Sequence, residues 1–191
     1  MRRHFYPIAL LGLSSVLTAS LVGSPEQADK AHHTHKLFFE NVTKLCGQQF
    51  EGVTEFPPDP DHDFAGKKLV ASVESCTEGE IRIPFRVGED TSRTWLLTLT
   101  KEGLLLKHDH RHADGTPDKV TMYGGWANAA GTELRQHFPA DQETAKIIPE
   151  AATNMWTITL DLEKQQLRYA LERHVQPRYS AVLTRVEEEE Q

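Results

Sequence analysis

At 191 residues, 38% of them hydrophobic, the chain has mass for one domain with its own core and too little for two ordinary ones. Its 28 acidic and 21 basic residues give a formal charge of −7, which argues against nucleic acid as a partner because phosphate binding needs a basic surface. Beyond Val22 no stretch is apolar enough to span a membrane.

Arg2, Arg3 and His4 precede an uncharged run from Pro7 to Val22 that ends at Gly23, Ser24 and Pro25. A basic start, an apolar middle and small residues near a cut are the parts of a secretory signal peptide, so residues 1–23 are predicted to be a leader and the mature protein periplasmic or secreted. Cleavage would remove Arg2 and Arg3 and take the charge from −7 to −9. Residues 24–36 are polar, carry His32, His33 and His35, and predict a flexible lead-in. From Leu37 to Cys46, Phe38, Val42, Leu45 and Cys46 share a helical stripe and Gly47 follows, which predicts one short amphipathic helix.

After Gly47 the apolar period changes to two. Strands are predicted over Gln48–Thr54, Lys68–Cys76 and Ile81–Val87, with the proline-rich segment from Phe56 to Asp63 as a loop between the first two. Pro84 inside the third strand calls for an edge or a bulge. A hairpin follows, Trp95–Thr100 and Leu104–His112, then Val120–Trp126, where Gly124-Gly125 points to a bulge or a close backbone approach. Leu134–Phe138, Met155–Leu162, Leu167–Glu172 and Tyr179–Val186 complete the series, with a short helical turn between Ala140 and Ile148.

Nine or ten short strands with tight connections predict a mostly β fold: a single antiparallel, lipocalin-like β-barrel over residues 37–186, followed by an acidic tail at 187–191. Two cysteines in an exported chain favour a Cys46–Cys76 disulfide over two buried thiols, and the absence of a Cys-x-x-Cys argues against a redox pair.

The chemistry concentrates in His108-Asp109-His110-Arg111-His112. On a strand the three imidazoles share the face of Leu104 and Leu106, with Lys107, Asp109 and Arg111 opposite. A His-x-His pair can converge on one ion, with zinc, copper and iron as candidates, but three histidines on a straight strand span about 13 Å and cannot all do so. A further ligand would come from His137, His174, Asp141 or Glu133. The competing reading is a hydrogen-bonded polar network closing a barrel. His108, His110, His112, Tyr123 and Arg86 are the candidate ligand-binding residues, whereas Trp95 and Trp156 read as core. Asp59, Asp61 and Asp63 fail as a calcium loop, because Phe64 and Val70 stand where a glycine and a bidentate acid belong. No nucleophile elbow or phosphate-binding glycine loop is present in the sequence.

His108-Asp109-His110-Arg111-His112, Asp114-Gly115-Thr116-Pro117-Asp118 and Val120-Thr121-Met122-Tyr123-Gly124-Gly125 together resemble the core of an uncharacterised family of exported bacterial proteins, over about residues 45–186. That resemblance implies export and no assigned activity. The order of helix and strands also resembles lipocalin-like (calycin) barrels, although the lipocalin Gly-x-Trp is absent: Gln48 and Gln49 follow Gly47. The expectation is an exported barrel binding a small molecule or metal ion. A metal-dependent, His-ligated enzyme and a purely structural domain are the alternatives.

Overall fold

The computed structural model describes residues 25–187. The predicted leader, and the tail beyond Glu187, lie outside the described residues. Ten strands alternate their side chains as the sequence requires: β1 (Gln49–Phe56), β2 (Leu69–Ser72), β3 (Glu80–Val87), β4 (Asp90–Thr100), β5 (Gly103–His110), β6 (Tyr123–Trp126), β7 (Arg135–Pro139), β8 (Asn154–Asp161), β9 (Gln166–Arg173) and β10 (Gln176–Arg185). Every pairing is antiparallel, and the order β6-β5-β4-β3-β2-β1-β10-β9-β8-β7 makes a meander whose two ends of chain, β1 and β10, meet in the middle. The sheet curls into a nearly closed barrel, with its seam between β6 and β7.

Closure at the seam relies on single bonds instead of a ladder. The Asn128 N–H donates to the His137 carbonyl and the Asp141 N–H to the Gly124 carbonyl, each at 2.9 Å. Gly124-Gly125 permits this approach: a Cβ on Gly125 would lie 1.9 Å from the Pro139 carbonyl oxygen, and one on Gly124 2.0 Å from that of Leu106. The close backbone approach expected of the glycine pair is therefore what the fold uses. A short helix, α2 (Gln142–Ile147), follows the seam, N-capped by Asp141, and Asp141 also pairs with Lys107 of β5 at 2.6 Å.

The other expected irregularity is an edge or a bulge at Pro84: β3 is not an edge, because it lies between β2 and β4, and the register shift against β4 falls beside Pro84, between Phe85 and Val87. Pro84 sits where the β2–β3 ladder lapses between the Ala71–Phe85 pair and the isolated Glu74–Arg82 bridge, so its missing N–H interrupts no bond to β2.

The N-terminal helix differs from expectation. It is 19 residues long, α1 (Pro25–Thr43), so the segment read as a flexible lead-in is helical and the helix is not short. The stripe it buries is His35, Phe38, Phe39 and Val42; Leu45 and Cys46 lie in the turn after it. This helix packs on β4, β5 and β7 over the end of the barrel at which the β4–β5 turn lies, with His35 against Gly103 and Phe39 near Leu99. Cys46 and Cys76 form a disulfide, joining the turn after α1 to the β2–β3 connection.

The barrel interior is layered along its axis. Beside α1 it is aliphatic, with Leu97, Leu104, Leu106, Ile158, Leu167 and Leu183 buried together. Farther along the same strands the inward residues become aromatic, and at the far end they become polar. On β4 the series runs Leu97, Trp95, Arg93; on β9 it runs Leu167, Tyr169, Leu171, Arg173. The end under α1 is filled by these side chains together with Phe38, Phe39 and Val42, and the opposite end opens into a cavity.

Candidate functional site

The cavity has a volume of about 360 Å³, within the usual range for small-molecule sites. One wall is a ring stack. Trp95 stacks on both Phe85 and Tyr169, with centroids 4.5 Å from each and interplanar angles of 20° and 15°, and those two rings are themselves 6.4 Å apart, so the three cluster as neighbours. Across the floor His108 stacks on Tyr123 at 4.7 Å and leans on Trp156 at 5.2 Å. The loop after β1 bends over the mouth: His62 stacks on Tyr179 and Phe64 meets the same ring edge-on. The Asp59, Asp61, Asp63 segment thus serves as a turn, in which the Asp61 N–H donates to the Asp59 carboxylate at 2.9 Å, and it delivers two rings to the rim.

His108 is 3% exposed and both of its nitrogens are engaged. Nδ1 lies 3.1 Å from the Tyr123 carbonyl oxygen, which can only accept, so the proton sits on Nδ1. Nε2 is then the acceptor for the Tyr169 hydroxyl, at 2.8 Å. Burial pushes this imidazole down to about 3; the charges of His110 and Lys107 act the same way, against the bond to the Tyr123 carbonyl. Nearer the mouth, His110 is lowered too, first by burial and then by Arg93, and its Nε2 lies 2.9 Å from the Tyr123 hydroxyl. Burial also raises the phenols, Tyr123 to about 12 and Tyr169 well above the usual value. At neutral pH the floor is consequently an uncharged aromatic and hydrogen-bonded surface.

The candidate residues are divided by the structure. His108, His110 and Tyr123 line one cavity. His112 does not join them: β5 ends at His110, and His112 is exposed in the loop that follows. Arg86 is exposed on the outer surface because Phe85 and Val87 take the inward positions of β3, so it is not a cavity residue. None of the proposed additional ligands lies in the cavity: His137 bonds Thr157, His174 bonds Thr153, Asp141 caps α2, and the Glu133 carbonyl accepts from Asn41 on α1. Among the described residues no group of three or more His, Cys, Asp or Glu side chains comes together in a way that could hold a metal. An ion at His108 Nε2 would have to displace the Tyr169 hydroxyl.

The alternate residues of the histidine string work on the outside. Asp109, also 3% exposed, accepts from Arg111 Nε at 2.8 Å and from the Thr121 hydroxyl at 3.2 Å, with Arg82 at 3.5 Å. Thr121 in turn accepts the His110 N–H at 2.7 Å. The segment from Arg111 to Met122 is therefore locked against β5, and β6 enters the sheet with Tyr123 facing inward. Much of the specific-looking sequence serves to build the loop that positions two imidazoles and a phenol.

The chain matches no protein-family model and no curated protein.

Geometry is thus the ground for a functional reading, and it adds residues that the sequence reading left out. Trp95 and Trp156 are core residues, as expected, and are cavity walls as well. Tyr169, Tyr179, Arg93, Arg173 and Arg178 were not singled out. For Arg93 and Arg173 a signal was present: each lies two residues from an inward-facing apolar residue, Trp95 or Leu171, on the same face of its strand.

Proposed function

We propose that this protein is an exported container for a small organic molecule, held in the cavity between Trp95, Trp156 and Tyr169. The observation that carries the reading is an open cavity of about 360 Å³ with aromatic walls, at one end of a barrel whose other end is filled. A barrel needed only for stability gains nothing from leaving such rings beside an open space, where dispersion contacts are lost. The polar atoms of the floor are paired with one another, as in sites that bind mainly by shape and burial. The leader-like start of the sequence, the resemblance of the histidine string to exported bacterial proteins and the disulfide support action in the periplasm or outside the cell.

A His-ligated metal enzyme has weaker support, since His112 lies apart and the acceptor nitrogen of His108 is occupied. The test is organic extraction and mass spectrometry of untagged protein purified from its native compartment, with elemental analysis of the same sample. A single organic species present near one equivalent, and absent from a Leu171→Trp variant that fills the cavity, is the expected result. Near one equivalent of zinc, copper or iron with no organic species would overturn it.

A further inference from the structure

The mouth of the cavity carries a charge pattern at odds with the rest of the chain. Arg93, Arg173 and Arg178 all line it, in a protein whose formal charge is −7, and the only carboxylate among the lining residues is the exposed Asp63. Arg93 comes from β4, and Arg173 and Arg178 flank the turn of the β9–β10 hairpin, so barrel closure brings the first to the other two.

Their present partners leave donors available. Arg93 is committed: it pairs with Asp90 at 2.5 Å and its guanidinium lies 5.1 Å above the Phe64 ring. Arg173 uses Nε on the Asn154 side-chain oxygen at 2.8 Å, which orients the guanidinium and leaves its terminal nitrogens without a carboxylate partner among the described residues. Arg178 forms no ion pair among the described residues and stands beside Tyr179 at the rim. Two arginines lining one opening, with the guanidinium of one oriented by a buried asparagine, suit an oxyanion, because the guanidinium fork matches a carboxylate, sulfonate or phosphate edge. Below them the walls are rings, and the imidazoles are neutral, so the interior offers no second charge.

We propose that the cavity takes a planar, largely apolar organic anion, its ring body between Trp95, Tyr169 and Trp156 and its anionic group at the mouth on Arg173 and Arg178. This rests on the container reading above and goes further by assigning the chemical class of the guest and the residues that select it. A cationic rim on an acidic protein also draws an anion toward the opening from solution. Neutral molecules of the same shape keep the burial and lose the headgroup contacts.

A matched pair of fluorescent probes tests the charge separately from the shape: 8-anilinonaphthalene-1-sulfonate and its uncharged analogue N-phenyl-1-naphthylamine. Titrations use the full mature protein, the Arg173→Gln/Arg178→Gln double variant and the cavity-filling Leu171→Trp variant, each first shown to be folded by circular dichroism. The wild type should bind one equivalent of the sulfonate about tenfold or more tightly than the neutral probe. The double variant should bind both probes with the affinity the wild type has for the neutral one, and Leu171→Trp should bind neither. A sulfonate bound no better than the neutral probe, or a preference that survives in the double variant, overturns the headgroup assignment while leaving the container reading intact. Failure of both probes to bind the folded wild type, or undiminished binding by Leu171→Trp, overturns the container reading with it.

Discussion

The His108 imidazole receives the Tyr169 hydroxyl on Nε2 at 2.8 Å while its Nδ1–H faces the Tyr123 carbonyl at 3.1 Å, so one buried ring joins β5, β6 and β9 across the barrel. Protonation at Nε2 breaks the first of these bonds, because a charged imidazole has no acceptor to offer the phenol, while the Nδ1–H keeps its carbonyl.

That relationship predicts acid sensitivity well above the carboxylate range. The unfolded imidazole takes up its proton near 6.5, and in the folded protein it does so only at about 3. Between these values the unfolded chain binds more protons, so stability is fully present above pH 6.5 and falls as the pH drops toward 3. The slope from this group is about 1.4 kcal/mol per pH unit. Urea unfolding at a series of pH values should show this decline in the wild type and a flatter curve in His108→Gln, whose amide can make both bonds without titrating.

Asp109 should matter first to stability, and to the cavity only through the loop that leads into Tyr123. Its carboxylate is buried on the outer face, but Arg82 and Arg111 are partly exposed and can rehydrate when it is removed. The cost of Asp109→Ala is therefore set mainly by Thr121 and the loop it anchors, about 2 kcal/mol in denaturant unfolding. Probe binding per folded molecule should weaken far less than in Leu171→Trp.

The seam between β6 and β7 tolerates no side chain at Gly125. Placing a Cβ 1.9 Å from the Pro139 carbonyl oxygen forces the two strands apart and breaks the bonds that substitute for a ladder. Gly125→Ala should lower stability by roughly 3 kcal/mol, visible as a fall in melting temperature. Faster hydrogen exchange at the Asn128 and Asp141 amides would locate the damage.

The Cys46–Cys76 bond closes a loop of 30 residues in sequence. By chain entropy it contributes about 3 to 4 kcal/mol. A Cys46→Ser/Cys76→Ser variant should lose stability by that order in urea, and a reducing agent should produce the same shift in the wild type and none in the variant.

Each strand's inward face is visible in its own residues, because alternation is a local property of the pleated backbone. Thus the inward placement of His108, His110 and Tyr123, the cysteine pair and the glycine close approach were all legible, whereas the edge that Pro84 allowed is ruled out by β3 lying between β2 and β4. The same alternation contained Arg93 and Arg173, yet the interior reading stopped at the last apolar residue of each strand. Other features depend on contacts far apart in the chain. The first turns of α1 look polar and unsupported in sequence, but His35 meets the Asn128 carbonyl at 3.2 Å, across a separation of 93 residues. His112 follows the period of its strand on paper, yet the ladder ends at His110, where the segment through Thr121 folds back over Asp109.

What the sequence determined by itself is the barrel's wall: strand period, antiparallel meander and the residues that point inward, all set by backbone geometry and side-chain polarity within a few residues. Only the tertiary structure decided which end of that barrel is filled and which is open. Helix α1 supplies Phe38, Phe39 and Val42 to one end, whereas the loop carrying His62 and Phe64 reaches only the rim of the other. The layering from leucine to aromatic to arginine becomes a site because closure of the sheet brings β4, β9 and β10 around a common axis, a proximity that no local pattern encodes.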